Sequence, residues 1–262
     1  MMISVVIRNK NEADYLERTL SILTKRYSDD IDEIIIVDNN STDNSIKVAK
    51  KYNCKVVNIE QFTYGKAINL GIRESKNNYV FLLSSHSIPI GGSFFKNSIQ
   101  FIKDKKDFAG LRFINSIENY ERAIINNFEV KDPLKFGFMA ACGLLSKEVW
   151  EQIHFDEKLV FKEDKEWSEK VTQAGYKIYD IDETFFYFIN RSEESELNRF
   201  KNETISEFQL YNRTYHSKIK IVASLIKKIF FTNLLVFFKT IKRDFKMAKI
   251  KFEINNFLNK KT

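Results

Sequence analysis

The sequence contains little cysteine, and this scarcity limits the classes of protein that it can encode. Only two of its 262 residues are cysteines, Cys54 and Cys142, and neither belongs to a C-x-x-C pair. Small secreted domains held by disulfides, and proteins with cysteine-rich metal sites, need more cysteines at closer spacing. The composition therefore favours a reducing compartment, and the cytoplasm is the expected location.

The sequence also lacks the marks of export, repetition and long linkers. Its first residues, MMISVVIRNKNE, have no basic region followed by a long apolar run, so they predict a first β-strand and not a signal peptide. No tandem repeat and no stretch rich in proline and glycine divides the chain. With 44% hydrophobic residues, the chain is long enough for one large domain with a core, or for a domain plus an extension.

Positive charge is concentrated at one end of the chain. Ser217 to Thr262 holds 12 lysines and arginines against two acidic residues, so the overall charge of +7 minus this +10 leaves −3 for the first 216 residues. From Glu193 onward the composition becomes charged and helical. We therefore expect a domain over residues 1–192 and a basic, amphipathic helical region over residues 193–262.

Short apolar runs alternate with helical patterns along the first half of the chain. The runs ISVVI, EIIIVD, CKVVNI and YVFLL predict strands, and the segments between them carry apolar residues at helical spacing. In the second of these segments Ser41 is the expected helix N-cap, with Asp43 in the first turn. Unbroken Val/Ile/Leu runs are typical of strands buried on both faces. The fold class is therefore α/β: a Rossmann-like, mostly parallel sheet flanked by helices, with a C-terminal helical extension.

The pattern is less regular after the fourth strand. FAGLRFI, residues 108–114, is a further candidate strand, whereas residues 118–135 have no clear period and are expected to be irregular. A helix is expected from about Asp164 to Ala174, with Gly175 just past its end and a strand over residues 177–181.

Polar residues follow several of the predicted strands. Arg8, Asp38 and the stretch from Ser84 to Ser87 fall at carboxyl ends, where parallel sheets bind their ligands. Ordinary explanations compete with this one: Asp38 and Asp43 could form a capped turn, and a histidine such as His86 after a strand is more often a structural residue.

Two further features have similar alternatives. Lys66 could bring a cation to a phosphate, although a lone lysine is usually solvated. Glu163 and Asp164 could carry chemistry, or they could be acids placed at a helix start to complement its dipole.

Four ordered stretches resemble the family 2 glycosyltransferases of the A-type nucleotide-sugar-binding fold. They are SVVIRNKNEADYLERTLSIL, DEIIIVDNNSTDNSIKVAKKY, GKAINLGIRESKNNYVFLLSSHSIP and KEDKEWSEKVTQAGYKI, and together they cover about Ile3 to Asp182. The resemblance implies a transferase that uses a nucleotide sugar, and it says little about which sugar.

The resemblance also implies roles for individual residues. Asp164 corresponds to the general base of inverting transfer, and Glu163 precedes it in the same acidic motif. The expected donor-binding residues lie at strand ends or on the third helix: Arg8, Asn9, Asp38, Lys66, Ser84, Ser85 and His86.

The chain departs from the family at the D-x-D motif, whose carboxylates bind the ribose and a divalent metal. Ser84, Ser85 and His86 stand in their place. Three accounts follow. In the first, His86 coordinates Mn or Mg together with phosphate oxygens. In the second, the enzyme uses no metal, and Lys66 with His86 or backbone amides carries the leaving-group charge; in the third, the site is inactive. We expect an active enzyme, with a metal at His86.

The expected reaction is inverting transfer from a nucleoside diphosphate sugar, UDP- or dTDP-linked, to a hydroxyl of a surface polysaccharide, such as capsule or lipopolysaccharide, or of a lipid-linked glycan. A catalytically inactive nucleotide-sugar-binding scaffold is the alternative. A nucleotidyltransferase is disfavoured, because that chemistry usually uses a glycine-rich loop after the first strand and RNKNEADY has no glycine.

The basic tail, residues 217–262, mixes Phe, Leu and Ile with lysine. Lysines at positions 227, 228 and 239 interrupt its apolar runs, so a membrane span is not expected. The tail is expected either to lie on an anionic membrane as a peripheral helix, or to cover the sheet or form a homodimer. Nucleic acid is not an expected partner, since no recognised binding motif accompanies the charge.

Overall fold

The structure is a computed structural model that describes residues 2–188, 192–211 and 215–258. The chain divides into two compact units, Met1–Asn212 and Arg213–Thr262. This division lies beyond the change in composition near residue 192, because helix α9 (Glu193–Tyr211) belongs to the first unit. An ion pair between Lys162 and Glu207 joins that helix to the body of the unit.

A single eight-stranded sheet forms the centre of the first unit. Its strands are β1 (Ile3–Asn9), β2 (Ile31–Asp38), β3 (Lys55–Asn58), β4 (Tyr79–Ser84), β5 (Ser87–Pro89), β6 (Phe108–Ile114), β7 (Cys142–Ser146) and β8 (Lys177–Tyr187). They are arranged in the order β3-β2-β1-β4-β7-β6-β8-β5. Strands β1 to β4 run parallel to one another, and β6 runs parallel to β8. Strand β7 is antiparallel to both of its neighbours, and β5 is antiparallel to β8.

Helices cover both faces of this sheet. Successive residues of a strand point to opposite faces, so Val5 packs in one hydrophobic cluster and Val6 in the other. The first cluster includes Leu20 and Phe94, and the second includes Trp167. The helices are α1 (Ala13–Arg26), α2 (Ser45–Lys51), α3 (Tyr64–Arg73), α4 (Phe94–Ile102), α5 (Ile117–Ile125), α6 (Pro133–Phe136), α7 (Lys147–Gln152) and α8 (Glu163–Gln173).

The predicted α/β architecture is confirmed, including the mostly parallel sheet and the C-terminal helices. Gly175 follows α8 with a φ of +91°, a left-handed conformation that glycine adopts without strain. Strand β8 continues past the predicted end at residue 181 as far as Tyr187.

Two local expectations are wrong. Residues 118–135 are not irregular, because they contain most of α5 and the start of α6. Ser41 is not a helix N-cap: α2 begins at Ser45 with Asn44 before it, and the Ser41 hydroxyl instead donates a hydrogen bond to Asp38 Oδ1.

The described part of the second unit consists of consecutive helical segments that form one long helix. Helix α10 (Lys218–Lys227), a π-helical segment (Lys228–Asn233) and α11 (Leu234–Leu258) follow one another, and none of their side chains is buried. By length and composition alone this helix, Lys218–Leu258, could cross a membrane, since its most apolar 18-residue window has a mean hydropathy of 1.9. The expectation that lysines rule out a span is therefore not sustained. Lys227 and Lys228 are adjacent, so one such window tolerates both.

Candidate active site

The carboxyl ends of β1 and β2 share a buried hydrogen-bond network. Asn9 Nδ2 donates to Asp38 Oδ1 at 3.0 Å and also to Ser41 Oγ at 3.1 Å. The Ser41 backbone amide donates to Asp38 Oδ2 at 2.8 Å, so both carboxylate oxygens of Asp38 are engaged. Asp38 is only 1% exposed. The structure thus brings the two predicted donor-binding residues Asn9 and Asp38 together in a fixed arrangement.

The turn after β2 is tied to the turn after β1. Asp43 Oδ2 accepts a hydrogen bond from the Ala13 amide at 2.9 Å, and Asp43 Oδ1 accepts one from the Ser45 amide at 2.9 Å. Burial is the largest single influence on the pKa of Asp43 and raises it, but these hydrogen bonds together outweigh burial and lower the pKa. Asp43 therefore joins the starts of α1 and α2.

The polar stretch after β4 lies beside these turns, because β4 pairs with β1 so that Ser84 is opposite Arg8. Ser85 Oγ donates to Glu12 Oε2, and the Ser85 carbonyl accepts a hydrogen bond from Thr19 Oγ1 at 2.6 Å. Ser84 and Ser85 are buried. This stretch is thus packed against the start of α1.

His86 has a hydrogen-bond partner at each ring nitrogen. Nδ1 lies 3.1 Å from Glu12 Oε2, and Nε2 lies 3.2 Å from the Tyr187 hydroxyl at the end of β8. Tyr15 and Tyr187 approach the ring edge to face, with centroids 6.4 and 5.0 Å away. The sequence singled out His86 but not Glu12, which is 74 residues away in the chain.

Lys66 lies in the first turn of α3. Thr63 caps this helix through its side chain, which accepts a hydrogen bond from the Lys66 amide at 3.2 Å. The Lys66 side chain is partly exposed, and its ammonium group makes no ion pair with any residue that the structure describes. It is therefore a cation that a bound anion could reach.

The acidic pair opens helix α8. Asp164 Oδ2 accepts a hydrogen bond from the Ala140 amide at 3.2 Å, while its Oδ1 has no hydrogen-bond partner among the described residues. Glu163 is 4% exposed and lies 3.5 Å from Arg8 Nη1. Burial and the neighbouring Asp164 raise the pKa of Glu163 to about 7, against the opposing effect of Arg8.

Arg8, near the carboxyl end of β1, connects that strand to the acidic pair at the start of α8. Besides Glu163 it contacts the Ala140 carbonyl, which accepts a hydrogen bond from Nη2 at 3.1 Å, and the Tyr64 ring, whose centroid is 5.5 Å from Cζ. Ala140 thus accepts from Arg8 through its carbonyl and donates to Asp164 through its amide. The expected contact of Arg8 with the nucleotide stays a prediction, and in this structure its guanidinium pairs with Glu163.

A cluster of buried charges behind Asp164 has no counterpart in the sequence predictions. Lys165 Nζ donates to the carbonyls of Gly137 at 2.8 Å and Phe138 at 2.6 Å, and burial lowers its pKa. Asp180 Oδ1 lies 3.3 Å from Arg112 Nη1 and 2.6 Å from Arg122 Nη2. In the sequence, the only sign of this cluster is the single charged residue, Arg112, within the otherwise apolar strand β6.

Comparison with known proteins identifies the family. The family model described as glycosyl transferase family 2 matches residues 4–219. This chain belongs to that family. It is 19% identical over 254 residues to an uncharacterized glycosyltransferase of Methanocaldococcus jannaschii, a match that covers 90% of this chain and 87% of the relative.

Several solved glycosyltransferases share the fold of this family 2 enzyme. A mannosyltransferase from Pyrobaculum calidifontis, in complex with GDP-mannose and Mn²⁺, has a TM-score of 0.63 at 14% identity, over 82% of this chain and 65% of the other. TarS of S. aureus with UDP-GlcNAc has a TM-score of 0.60 at 18% identity, over 82% and 68%. Glucosyl-3-phosphoglycerate synthase of Mycobacterium tuberculosis, with Mn²⁺, UDP and glucosyl-3-phosphoglycerate, has a TM-score of 0.59 at 14% identity, over 79% of each chain.

The donor atoms of this glycosyltransferase do not fit a metal ion held by several protein ligands. Among residues 2–188, 192–211 and 215–258, no group of three or more His, Cys, Asp or Glu side chains is placed to hold one. Both ring nitrogens of His86 have partners, and Glu12 Oε2 is shared between His86 and Ser85. We therefore assign no step of the reaction to a metal ion.

Proposed function

We propose that this glycosyltransferase moves a sugar with inversion from a UDP- or dTDP-sugar to a hydroxyl group of a surface polysaccharide or lipid-linked glycan. One observation carries the proposal: Asp164 stands at the start of α8 with one carboxylate oxygen fixed by the Ala140 amide and the other without a partner in the described chain. A carboxylate held in this way is oriented and still able to accept a proton.

In the proposed reaction the acceptor hydroxyl attacks the anomeric carbon from the face opposite the diphosphate. Asp164 takes the hydroxyl proton as the new carbon–oxygen bond forms, and the bond from the anomeric carbon to the diphosphate oxygen breaks. The nucleoside diphosphate leaves with the bonding electron pair. Lys66, which has no ion-pair partner in the described residues, supplies positive charge toward that leaving group.

The buried network of Asn9, Asp38 and Ser41 supports a role in placing the donor and not in chemistry. Asp38 has both oxygens occupied, so it can orient the Asn9 amide and the adjacent turn as a rigid wall for the nucleoside. The neighbours in complex with UDP-GlcNAc, GDP-mannose and UDP-glucose support a nucleotide sugar as the donor class.

The decisive test is Asp164→Asn. Asparagine keeps the size and the hydrogen bond from the Ala140 amide but cannot take the proton, so transfer should fall by about 10²–10⁴-fold while nucleotide affinity stays within a few fold. Transfer is measured as nucleoside diphosphate release with a supplied acceptor, and affinity by calorimetry. Glu169→Gln on the same helix serves as the control. Wild-type turnover in Asp164→Asn would remove Asp164 as the base, and donor binding without any transfer or hydrolysis by wild-type protein would favour the inactive scaffold.

The C-terminal unit supports a second proposal, that the enzyme is held at the inner face of the cell membrane. None of the side chains of Lys218–Leu258 is buried within the structure, and large apolar residues are interspersed with lysine along it. Apolar side chains would enter the boundary between headgroups and acyl chains, and lysines would meet anionic headgroups. A membrane-bound acceptor would then be delivered to the catalytic unit.

A further inference from the structure

Three separate parts of the chain converge on His86. Glu12 comes from the turn between β1 and α1, Tyr15 from α1 itself, and Tyr187 from the end of β8. The His86 side chain is 12% exposed and the Glu12 side chain 27% exposed. Because both ring nitrogens of His86 have partners and the ring is partly buried, its orientation is fixed.

Glu12 places a carboxylate beside residues 84–86, which contain no carboxylate of their own. Ser84, Ser85 and His86 replace the acidic motif in sequence, yet the Glu12 carboxylate lies against both Ser85 and His86. It contacts the ring at Nδ1, and therefore acts on the imidazole and not as one of several metal ligands. Nε2 is the nitrogen that lies against the Tyr187 hydroxyl, in a more exposed contact.

We propose that Glu12 holds His86 so that Nε2 contacts the donor diphosphate in place of a protein-held metal ion, with Tyr187 occupying that nitrogen until the donor binds. This inference rests on the proposed function, because it presumes a nucleoside diphosphate donor. Glu12 is thus the positioning residue, Tyr187 covers Nε2 before the donor binds, and His86 is the residue that touches the donor.

The role of each His86 ring nitrogen follows from the hydrogen bonds that its neighbours can accept. With a carboxylate at Nδ1 and a phosphate oxygen at Nε2, both nitrogens must donate, so the ring in the complex is an imidazolium. Among the described residues, the ionisable groups that face the ring are Glu12 at Nδ1, Tyr187 at Nε2 and Tyr15 at the ring edge. The ion pair of Glu12 and His86 then directs the imidazolium charge at the diphosphate, and no covalent step is involved.

The test is calorimetric titration of the full chain with UDP in EDTA, and again with added Mn²⁺. Wild-type protein is expected to bind in EDTA, with less than about a threefold change in Kd on adding Mn²⁺. Glu12→Gln and His86→Ala should each weaken UDP binding about tenfold or more, a loss equivalent to about 1.4 kcal/mol. Glu17→Gln, which removes an exposed α1 carboxylate paired with Lys51, is the matched control and should bind as wild type.

Two further measurements separate this role from a merely structural one. Uridine, which has no phosphate, should compete equally well with wild type and with Glu12→Gln, because the lost contact is to the diphosphate. Tyr187→Phe frees Nε2 and should bind UDP at least as tightly as wild type. A Glu12→Gln protein that loses uridine as much as UDP, or a Tyr187→Phe protein that binds UDP more weakly, would overturn the proposed roles.

The outcomes also separate this inference from the proposed function. UDP binding that requires Mn²⁺ and is unchanged in Glu12→Gln overturns the inference and leaves the transferase proposal standing. No binding of UDP, dTDP or GDP by wild-type protein, with or without Mn²⁺, overturns both.

Discussion

Asp38 and Asp164 are both carboxylates at the functional edge of the sheet, but they are held in different ways. Asp38 is 1% exposed and has hydrogen-bond partners at both oxygens. Asp164 is partly exposed and has one oxygen bound to the Ala140 amide. A buried carboxylate with hydrogen bonds at both oxygens serves as a fixed acceptor, whereas one with an available oxygen can accept a further hydrogen bond from a substrate hydroxyl.

Glu163 gives the enzyme a pH dependence of stability that can be measured. Its pKa is raised to about 7 in the folded chain from the ordinary value of 4.5, first by burial and then by Asp164. Between those two pH values the folded state binds more protons than the unfolded state, so the free energy of unfolding falls as pH rises through this range. We expect the melting temperature of wild-type protein to decrease from about pH 5 to about pH 8, and Glu163→Gln to flatten this decrease.

The control for this prediction is Glu169→Gln, farther along α8, which should keep the wild-type slope. Thermal unfolding followed by circular dichroism at closely spaced pH values gives the comparison. A tenfold difference in proton affinity between the folded and unfolded chain is equivalent to about 1.4 kcal/mol, so the Glu163 effect is on the order of 3 kcal/mol. Parallel curves for wild type and Glu163→Gln would mean that Glu163 is ionised in the folded protein across the whole range.

Sequence patterns pointed to several residues of the candidate site but not to all of their partners. Asp38 and Asp164 stand at recognisable places, a strand end and a helix start, so local patterns suffice to find them. Glu12 and Tyr187 act through contacts to His86 that span 74 and 101 residues of sequence. Such pairings depend on strand order and on where β8 ends, and neither is visible from periodicity.

At the scale of elements, α3 and the segment before α8 are locked together. Thr63 Oγ1 donates to the Glu157 carbonyl at 2.9 Å, and Asn69 Nδ2 donates to the Phe155 carbonyl at 2.9 Å. Trp150 Nε1 in turn donates to Asn69 Oδ1 at 2.9 Å. This lock sets the position of α3, which carries Lys66, relative to α8, which carries Asp164.

Gly65→Ala tests the lock. A Cβ at Gly65 would lie 2.2 Å from the Asp156 carbonyl oxygen and 3.2 Å from Glu157 Cα, so backbone would have to move. Alanine is otherwise favoured over glycine in a helix by about 1 kcal/mol, and the clash should reverse that sign. We expect Gly65→Ala to lower the free energy of unfolding by about 1–3 kcal/mol and to reduce transfer.

Chemical denaturation measures the change in stability, with Arg73→Ala as the control. Arg73 is exposed at the end of the same helix, so its substitution should stay within about 0.5 kcal/mol of wild type. An unchanged or increased stability in Gly65→Ala would show that the contact between α3 and residues 156–157 is not close in solution.

Helix α5 shows why one element escaped prediction. Its inward face carries Arg122 and Ala123, while Ile117, Ile124 and Ile125 are exposed. The Arg122 guanidinium packs on a phenylalanine ring of α6 and reaches an aspartate of β8. The large apolar residues thus lie on the solvent side and a charged residue lies inside, the reverse of the pattern by which amphipathic helices are found. Strands β1, β2 and β4 follow the usual pattern of buried Val, Ile and Leu, and the first four strands were predicted with nearly their observed bounds.

At the scale of the whole molecule, the catalytic unit and the basic helix have separate properties. The first 216 residues carry a net charge of −3 and the rest carry +10. An acidic body is repelled by an anionic membrane, so membrane contact is expected to depend on the helix alone.

Deletion of residues 213–262 tests that expectation. Full-length protein should sediment with vesicles containing anionic lipid and much less with neutral vesicles, and the shortened chain should remain in the supernatant. Lysine near the surface contributes about 1 kcal/mol per residue, so replacing Lys227 and Lys228 by glutamate should weaken sedimentation without abolishing the helix.

Salt distinguishes the two ways in which the helix could meet the bilayer. A helix lying at the surface through charge should be released in high salt, whereas one that spans the bilayer should withstand both salt and alkaline carbonate. Failure of the full-length protein to sediment with anionic vesicles would sink the membrane proposal and leave the transferase proposal unaffected.

The reversed direction of β7 has a consequence for how this enzyme can diversify. Since β6 ends and β7 begins at the same edge of the sheet, the chain between residues 114 and 142 leaves and returns at the functional edge. Lengthening such an excursion costs little closure entropy and leaves the strand order intact. The chain between β6 and β7 is therefore a place where added residues could alter acceptor preference, provided that Ala140, which contacts Arg8 and Asp164, keeps its position.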